Sequence, residues 1–297
     1  MTRPELLILR GVPASGKTSA AIGLDDHVRV NRDDLRLTLF GKYWGVDEDF
    51  VTRVEDATIR AALKVGKSVV VDATNLAYKN VNNLLSMAAE AKAEAVYGDF
   101  PISLEEAIKR DTDRQKSVGA DVIRGFFKRY RIDANTGTLP PAPPVWVPFD
   151  PVPSSGPRPK AYIIDTDGTV ALNTHRSPYD SSRYHTDEPN EPVVALVDGL
   201  ERYTSTTIIG VSGRSEEFRE VTLEWWRDHV GFVPELFFMR KEGDKRNDAI
   251  VKYEIYRDLI APHYDVRMAL DDRPRVIRMW QSVGVPTLLV GDPWMEF

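Results

Sequence analysis

At 297 residues the chain exceeds the usual size of one domain, so two domains are expected, each burying its own core. Its 42% hydrophobic and 28% charged residues exclude a disordered or fibrous chain, and the absence of cysteine excludes disulfides, thiolate nucleophiles and cysteine zinc sites. The net charge of -6 argues against a broad duplex-binding surface while leaving room for a short basic channel; with no long apolar run and no signal-peptide start in MTRPELLILRG, a cytoplasmic protein is expected.

The first apolar run, LLILRG, reads as a strand and leads into Gly11-Val-Pro-Ala-Ser15-Gly16-Lys17-Thr18, a complete phosphate-binding loop in its strand-to-helix setting. In such a loop Gly11, Ser15 and Gly16 let backbone N–H groups wrap the phosphates of ATP, Lys17 adds charge, and Thr18 offers a hydroxyl to Mg²⁺. Phosphate binding does not separate a kinase from an ATPase, and the next segment bears on that choice. The run Val30-Asn-Arg-Asp33-Asp34-Leu-Arg36 places a carboxylate and arginines where a strand end can meet an acceptor. Asp33 can take the acceptor's proton and Arg36 can hold its phosphate. The same residues also read as a helix N-terminus with acidic caps.

A helix is expected from about Glu48 to Val65, followed by a buried strand, SVVVDATN, whose Asp72 is a partner for the metal or its surroundings, or only a strand terminus. Glu105 to Arg114 reads as helical, so Arg110 and Arg114, four apart, project from one face, either as a lid over the ATP phosphates or as solvated surface. From Thr138 to Pro159 the sequence holds nine of the twenty prolines and reads as a boundary. The expected division is residues 1–138, a linker at 139–159, and residues 160–297. Val145, Trp146, Val147 and Phe149 are too apolar for a solvated tether, so the linker is expected to pack against one domain.

After the linker, AYIIDTDGT, TTIIGVSGR, VRMALDD and VPTLLVG are apolar strands ending in polar residues or glycine, with helices between, and ligand sites belong at those ends. Asp165-Thr-Asp167-Gly-Thr resembles the first motif of the haloacid-dehalogenase phosphatase superfamily. Two carboxylates at this spacing divide the labour: Asp165 attacks phosphorus, and Asp167 protonates the leaving alkoxide and then activates water. Ser212 and Arg214 in VSGR offer donors to phosphate oxygens, Lys252 lies in a helical stretch, and Asp271-Asp272 is a pair suited to a hard cation. The metal set expected here is Asp165, Asp167, Asp271 and Asp272, with Thr18 serving the first site. Asp248 is a weaker candidate, readable as a helix cap. The stretch between the first two motifs is short, so no large cap is expected, and an open site suits a polymer end. The five histidines form no ligand cluster.

The loop GVPASGKT, NRDD with Arg36, the strand DATN, the paired arginines and the later phosphatase motifs, in this order, resemble bacteriophage polynucleotide kinase-phosphatase over nearly the whole chain, from Leu6 to about Gly284. The resemblance implies an α/β protein of two domains: a P-loop kinase with a parallel sheet and helices on both faces, and a Rossmann-like haloacid-dehalogenase-type phosphatase. It implies Asp33 as base, Arg36 on the acceptor's 3' phosphate, Arg114 on the ATP phosphates, and Arg176 of RSPYD contributing to phosphatase action. It further implies ATP and Mg²⁺ as cofactors, RNA or DNA ends as substrates, a link to a nucleic-acid ligase, and a homo-oligomer. Thr166 departs from the apolar residue usual inside DxD, and the lid after Arg114 reads QKSVGAD. Two rivals remain: a small-molecule kinase fused to a metabolite phosphatase, and a nucleotide-responsive binding module. The second is disfavoured because Lys17, Asp33, Asp165 and Asp167 are all present.

Overall fold

In the computed structural model, which describes residues 3–114, 116–153, 156–177 and 180–293, the chain divides into two units, 1–148 and 149–297. The first is built on β1 (Glu5–Arg10), α1 (Lys17–Ile22), β2 (His27–Val30), α2 (Arg32–Phe40), α3 (Glu48–Lys64), β3 (Ser68–Val71), α4 (Tyr78–Glu90), β4 (Glu94–Asp99), α5 (Leu104–Thr112) and α6 (Ala120–Tyr130). Its four strands are parallel, in the order β2-β3-β1-β4. Alternation along β1 decides which side each residue faces. Leu6 and Ile8 join Ile59 and Leu63 of α3 and Leu84 and Leu85 of α4, whereas Leu9 joins Ala21 of α1 and Phe100. Both faces are covered, which is why β1 and β3 read as continuous apolar runs. A third cluster gathers Val12, Leu76, Ile102, Ile123 and Phe127 under α5 and α6.

All four strands run the same way, so the phosphate-binding loop after β1, Asn31–Asp33 after β2 and Asp72 after β3 come to one edge of the sheet. Asn31 locks two of these together. Its side-chain oxygen accepts the Asp34 N–H and so caps α2, while its amide donates to the backbone carbonyl and to the carboxylate of Asp72 at 2.8 and 3.0 Å.

The second unit contains β5 (Lys160–Ile164), β6 (Ala171–Leu172), β7 (Glu188–Pro189), α7 (Glu191–Tyr203), β8 (Thr207–Ser215), α8 (Arg219–His229), β9 (Leu236–Arg240), α9 (Asp248–Ile255), β10 (Asp265–Asp271), α10 (Pro274–Ser282) and β11 (Thr287–Leu289). Five strands form a parallel sheet in the order β11-β10-β5-β8-β9, and β6 and β7 pair as a small antiparallel ribbon. Ile164, Ile208, Leu270, Trp225, Trp226 and Phe237 fill one side. Asp165, Arg214 and Asp271 again stand at or just past the C-terminal ends of β5, β8 and β10, the place where open parallel sheets bind ligands.

The proline-rich segment does not lie on one unit as expected; it is shared. The carbonyls of Pro140, Pro141 and Pro143 accept hydrogen bonds from the Arg10 guanidinium, the Tyr78 hydroxyl and the Tyr97 hydroxyl, and Trp146 packs against the first core. Phe149 instead is buried beside the Tyr253 ring of the second unit, at 4.9 Å between centroids. Proline lacks an N–H, so its carbonyl is the backbone group it can offer, and aromatic hydroxyls and a guanidinium are suited to meet it. Among the described residues no helix is long and apolar enough to cross a membrane.

Candidate active sites

In the first unit the phosphate-binding loop turns at Gly16, whose φ of 100° favours glycine and which opens α1. Lys17 is folded back onto the loop: its ammonium donates to the carbonyls of Gly11 and Val12 at 2.9 and 2.7 Å and to Ser15 Oγ at 3.2 Å. Burial lowers its pKa to about 8, against the opposing pull of Asp72; the charge of Arg114 adds to the lowering and so places that arginine within electrostatic reach of the loop. The Thr18 hydroxyl donates to Asp72 at 3.2 Å. The other Asp72 oxygen accepts two hydrogen bonds from Arg29, at 3.0 and 2.7 Å, besides that from Asn31. Asp72 therefore joins the Thr18 hydroxyl of the loop to β2.

Asp33 lies in the first turn of α2, where it accepts from Arg36 at 2.7 Å and from Lys116 at 3.1 Å. Arg36 also donates twice to Glu48, at 2.8 and 3.0 Å. These bonds from Arg36, joined by Arg32, hold the Glu48 carboxyl below its usual range. Arg32 further reaches Glu55, whose carboxyl is pushed up by burial despite that pairing. Asp33 and Arg36 are thus hydrogen-bonded neighbours, but neither Glu48 nor Lys116 was expected. Both are distant in sequence, and no local pattern marks them.

The expected pair of lid arginines is not a pair. α5 stops at Thr112, because Asp111 turns inward to accept from the Ser117 hydroxyl and from the N–H groups of Val118 and Gly119. Arg110 stays on the exposed helix face bonded to Glu106, while Arg114, beyond the helix end, lies 3.5 Å from Asp111. Gln115 of the lid run lies outside the described residues.

In the second unit Asp165, directly after β5, is buried, and the Lys252 ammonium stands 2.8 Å from it and 2.8 Å from Asp271. Burial drives Asp165 well above the ordinary carboxylate range; Lys252 opposes that, while Asp271 and Asp272 add to it. Burial and Asp271 push Asp272 up to about 7. Burial would lower Lys252, but Asp165 and Asp271 outweigh it and hold the ammonium raised.

Carboxylate oxygens of Asp165, Asp271 and Asp272 lie within 4.8 Å of one another, and one Asp272 oxygen is buried with no hydrogen-bond partner. An all-oxygen set with excess negative charge and an unsatisfied oxygen fits a hard divalent cation. Gly168 completes the cradle. Its φ is 73°, and a Cβ there would fall 2.0 Å from the Asp272 carboxylate, so the glycine of DxDGT is required twice over.

Asp167 does not join that acidic set, contrary to expectation. Its carboxylate accepts from Arg214 at 2.8 to 3.1 Å and from Arg176 at 3.2 Å. Both arginines are buried and both also bind Asp187, at 2.6 and 2.7 Å from Arg176 and 2.6 Å from Arg214. Tyr184 lies against both guanidinium groups, 4.6 and 3.9 Å from its ring centroid. Asp187 escaped the sequence reading because nothing around YHTDEP forms a motif. Pro178 and Tyr179 of RSPYD lie outside the described residues.

Ser212 is fully buried, and its hydroxyl accepts the Arg214 N–H at 3.2 Å. Thr166, the departure inside DxD, is buried and accepts the indole N–H of Trp226 at 3.2 Å, which explains a hydroxyl at that position. Asp248 does not cap α9, since Asn247 does that; it binds Arg240 and, at 2.6 Å, Arg273.

Residues 6–132 match the family model of an AAA domain, and residues 159–293 match that of the polynucleotide kinase PNKP phosphatase domain. A protein of Autographa californica nuclear polyhedrosis virus, named as a bifunctional polynucleotide kinase/RNA ligase, is 30% identical over 312 residues, which cover 99% of this chain and 43% of that protein. The chain therefore spans less than half the length of that curated relative. Two structures of the Pnkp1/Rnl/Hen1 complex, one of them titled an RNA repair complex, contain a chain 30% identical to this one. The matches cover 98% of this chain and 96 and 97% of those chains, with TM-scores of 0.45 and 0.46. Kinases and haloacid-dehalogenase phosphatases of these families generally use ATP and Mg²⁺. With both family models matched in this order, the chain belongs to the polynucleotide kinase-phosphatase family, a P-loop kinase domain followed by a haloacid-dehalogenase-type phosphatase domain.

Proposed function

We propose that the chain repairs nucleic-acid strand ends twice over, transferring the γ-phosphate of ATP to a 5'-OH and removing a 3' phosphate, or a 2',3'-cyclic phosphate, from RNA or DNA. The observation that supports this most is the division of the second site into two differently held aspartates: Asp165 buried against Lys252, and Asp167 held away from it by Arg176 and Arg214. A nucleophile must lie free of a proton facing phosphorus, and an acid/base must be oriented separately beside the leaving oxygen.

In the phosphatase half, an Asp165 oxygen attacks phosphorus to form an aspartyl-phosphate, and the strand's 3' oxygen leaves with the proton of Asp167. Asp167 then takes a proton from the water that cleaves the acyl phosphate. Lys252 opposes the burial that favours a protonated Asp165 and holds its carboxyl in place, and the Ser212 segment donates to the phosphate oxygens. Asp165, Asp271 and Asp272 would hold Mg²⁺, which neutralises charge between the carboxylates and the phosphate. In the kinase half, Asp33 takes the 5'-OH proton, Arg36 holds the acceptor's phosphate, and Lys17 and Arg114 bind the ATP phosphates. Gly11, Ser15 and Gly16 wrap those phosphates, and Thr18 with Asp72 serves the metal. The products, a 5' phosphate and a 3'-OH, suit a ligase, an activity that the name of the viral relative above also carries.

The test is one oligonucleotide bearing a 5'-OH and a 3' phosphate, incubated with ATP and Mg²⁺. The wild type is expected to change both ends, Lys17→Ala only the 3' end and Asp165→Asn only the 5' end. Turnover of nucleosides or sugars with no action on the oligonucleotide would favour the small-molecule rival.

A further inference from the structure

The connection between α2 and α3, residues 41–47, carries an aromatic surface that neither chemical site uses. Trp44 is 71% exposed, and Phe40 and Phe50, which flank the connection and touch edge-to-face at 6.1 Å, are 36% and 47% exposed. Among the described residues Trp225, Trp226 and Trp280 are core, at most 2% exposed, and Trp146 is partly buried. Such a concentration of exposed aromatic surface marks a binding face.

Its position says for what. The Lys116 ammonium stands 3.1 Å from the Asp33 carboxylate and 3.2 Å from the centroid of the Tyr43 ring. One lysine therefore spans the distance from the proposed base to the residue preceding Trp44. A 5' oxygen presented to Asp33 belongs to the same nucleoside as the terminal base, so that base falls within reach of this connection. Flat aromatic surface beside the basic groups of Lys42 and Lys116 is the combination that holds single strands, bases on rings and phosphates on cations.

We propose that Trp44 is a stacking face for the terminal nucleobase of the 5'-OH strand; this rests on the reading of the first unit as a polynucleotide kinase. Stacking of one base contributes about tenfold in affinity and tolerates any base, because every base has a π-face. The face thereby selects polymer ends over acceptors that lack a base.

The test compares an oligonucleotide with an ordinary 5'-terminal nucleoside and one whose 5'-terminal residue is abasic, using the full chain as wild type, Trp44→Ala and Trp44→Phe. Trp44→Ala is expected to raise KM for the ordinary end about tenfold, leave KM for the abasic end and for ATP unchanged, and be largely rescued by Trp44→Phe. Equal KM for both ends in the wild type overturns the proposal, as does an equal effect of Trp44→Ala on both; the second result assigns the face to general folding. No effect on either end also overturns it. Fluorescence anisotropy of the same oligonucleotides separates the two failures. A wild-type preference for the base-bearing end, lost in Trp44→Ala, supports the stacking face even where no phosphoryl transfer occurs, in which case the kinase reading is what fails.

Discussion

The Lys17 ammonium donates to the carbonyl of Val12, five residues earlier, at 2.7 Å, so the loop's own backbone is its partner. Burial has already lowered its pKa to about 8. Binding an anion needs the charged form, which is lost as pH rises through that value and not near the usual 10.4. ATP affinity measured by calorimetry is expected to hold from pH 6.5 to 7.5 and to weaken between pH 8 and 9. Constant affinity to pH 9.5 would count against an exposed role for the Lys17 charge.

Asp187 is the shared anchor of two buried arginines. Asp187→Asn leaves Arg176 and Arg214 short of compensating charge, and losing one partner from a buried ion-pair network costs about 3–5 kcal/mol. Urea unfolding monitored in the second unit should shift accordingly, and 3'-phosphatase activity should drop sharply while 5'-kinase activity persists. Equal loss of both activities would show that the change acts on the whole chain.

The acidic set predicts different stability profiles with and without metal. Asp272 rises to about 7 in the folded protein, and burial drives Asp165 well above its ordinary value too. A carboxyl whose folded pKa is raised is favourable to folding at low pH, and that advantage is lost as pH climbs through the folded value. Metal-free protein should therefore show a falling melting temperature for the second unit from pH 5 to pH 8, and Mg²⁺ should flatten that fall. A metal-independent profile would exclude these three carboxylates as the cation site.

Arg36 owes its orientation to Glu48, a residue on the next helix. Glu48→Gln should leave Arg36 free to sample other rotamers, raising KM for the 5'-OH strand by about tenfold while KM for ATP stays unchanged. Steady-state kinetics with each substrate varied in turn distinguishes this from general loss of the kinase fold, which would move both.

What the sequence revealed and what it withheld follow one physical line. GVPASGKT and DTDGT are contiguous, and each depends on its own backbone, as Gly16 and Gly168 show by their positive φ. The strands were legible because sheets covered on both faces demand unbroken apolar runs. Asp187, Glu48 and Lys116 were hidden because their roles come from partners 11 to 83 residues away. The end of α5 was misjudged because the residues that stop it, Ser117 to Gly119, lie after it and act back upon Asp111. Asp167 was expected beside the metal carboxylates, and the two arginines that hold its carboxylate are not neighbours in sequence.

The proline-rich strap has a practical consequence for dissecting the enzyme. Because Pro140, Pro141 and Pro143 receive hydrogen bonds from Arg10, Tyr78 and Tyr97, a kinase fragment cut at Thr138 would strip acceptors from the sheet edge and uncover the apolar surface beneath Trp146. Arg10 is the last residue of β1, one position before the phosphate-binding loop, so an injury at the strap would be felt at that loop. A kinase fragment is therefore expected to need the chain through Pro148, and the first half of what looks in sequence like a spacer is an outer layer of the first unit.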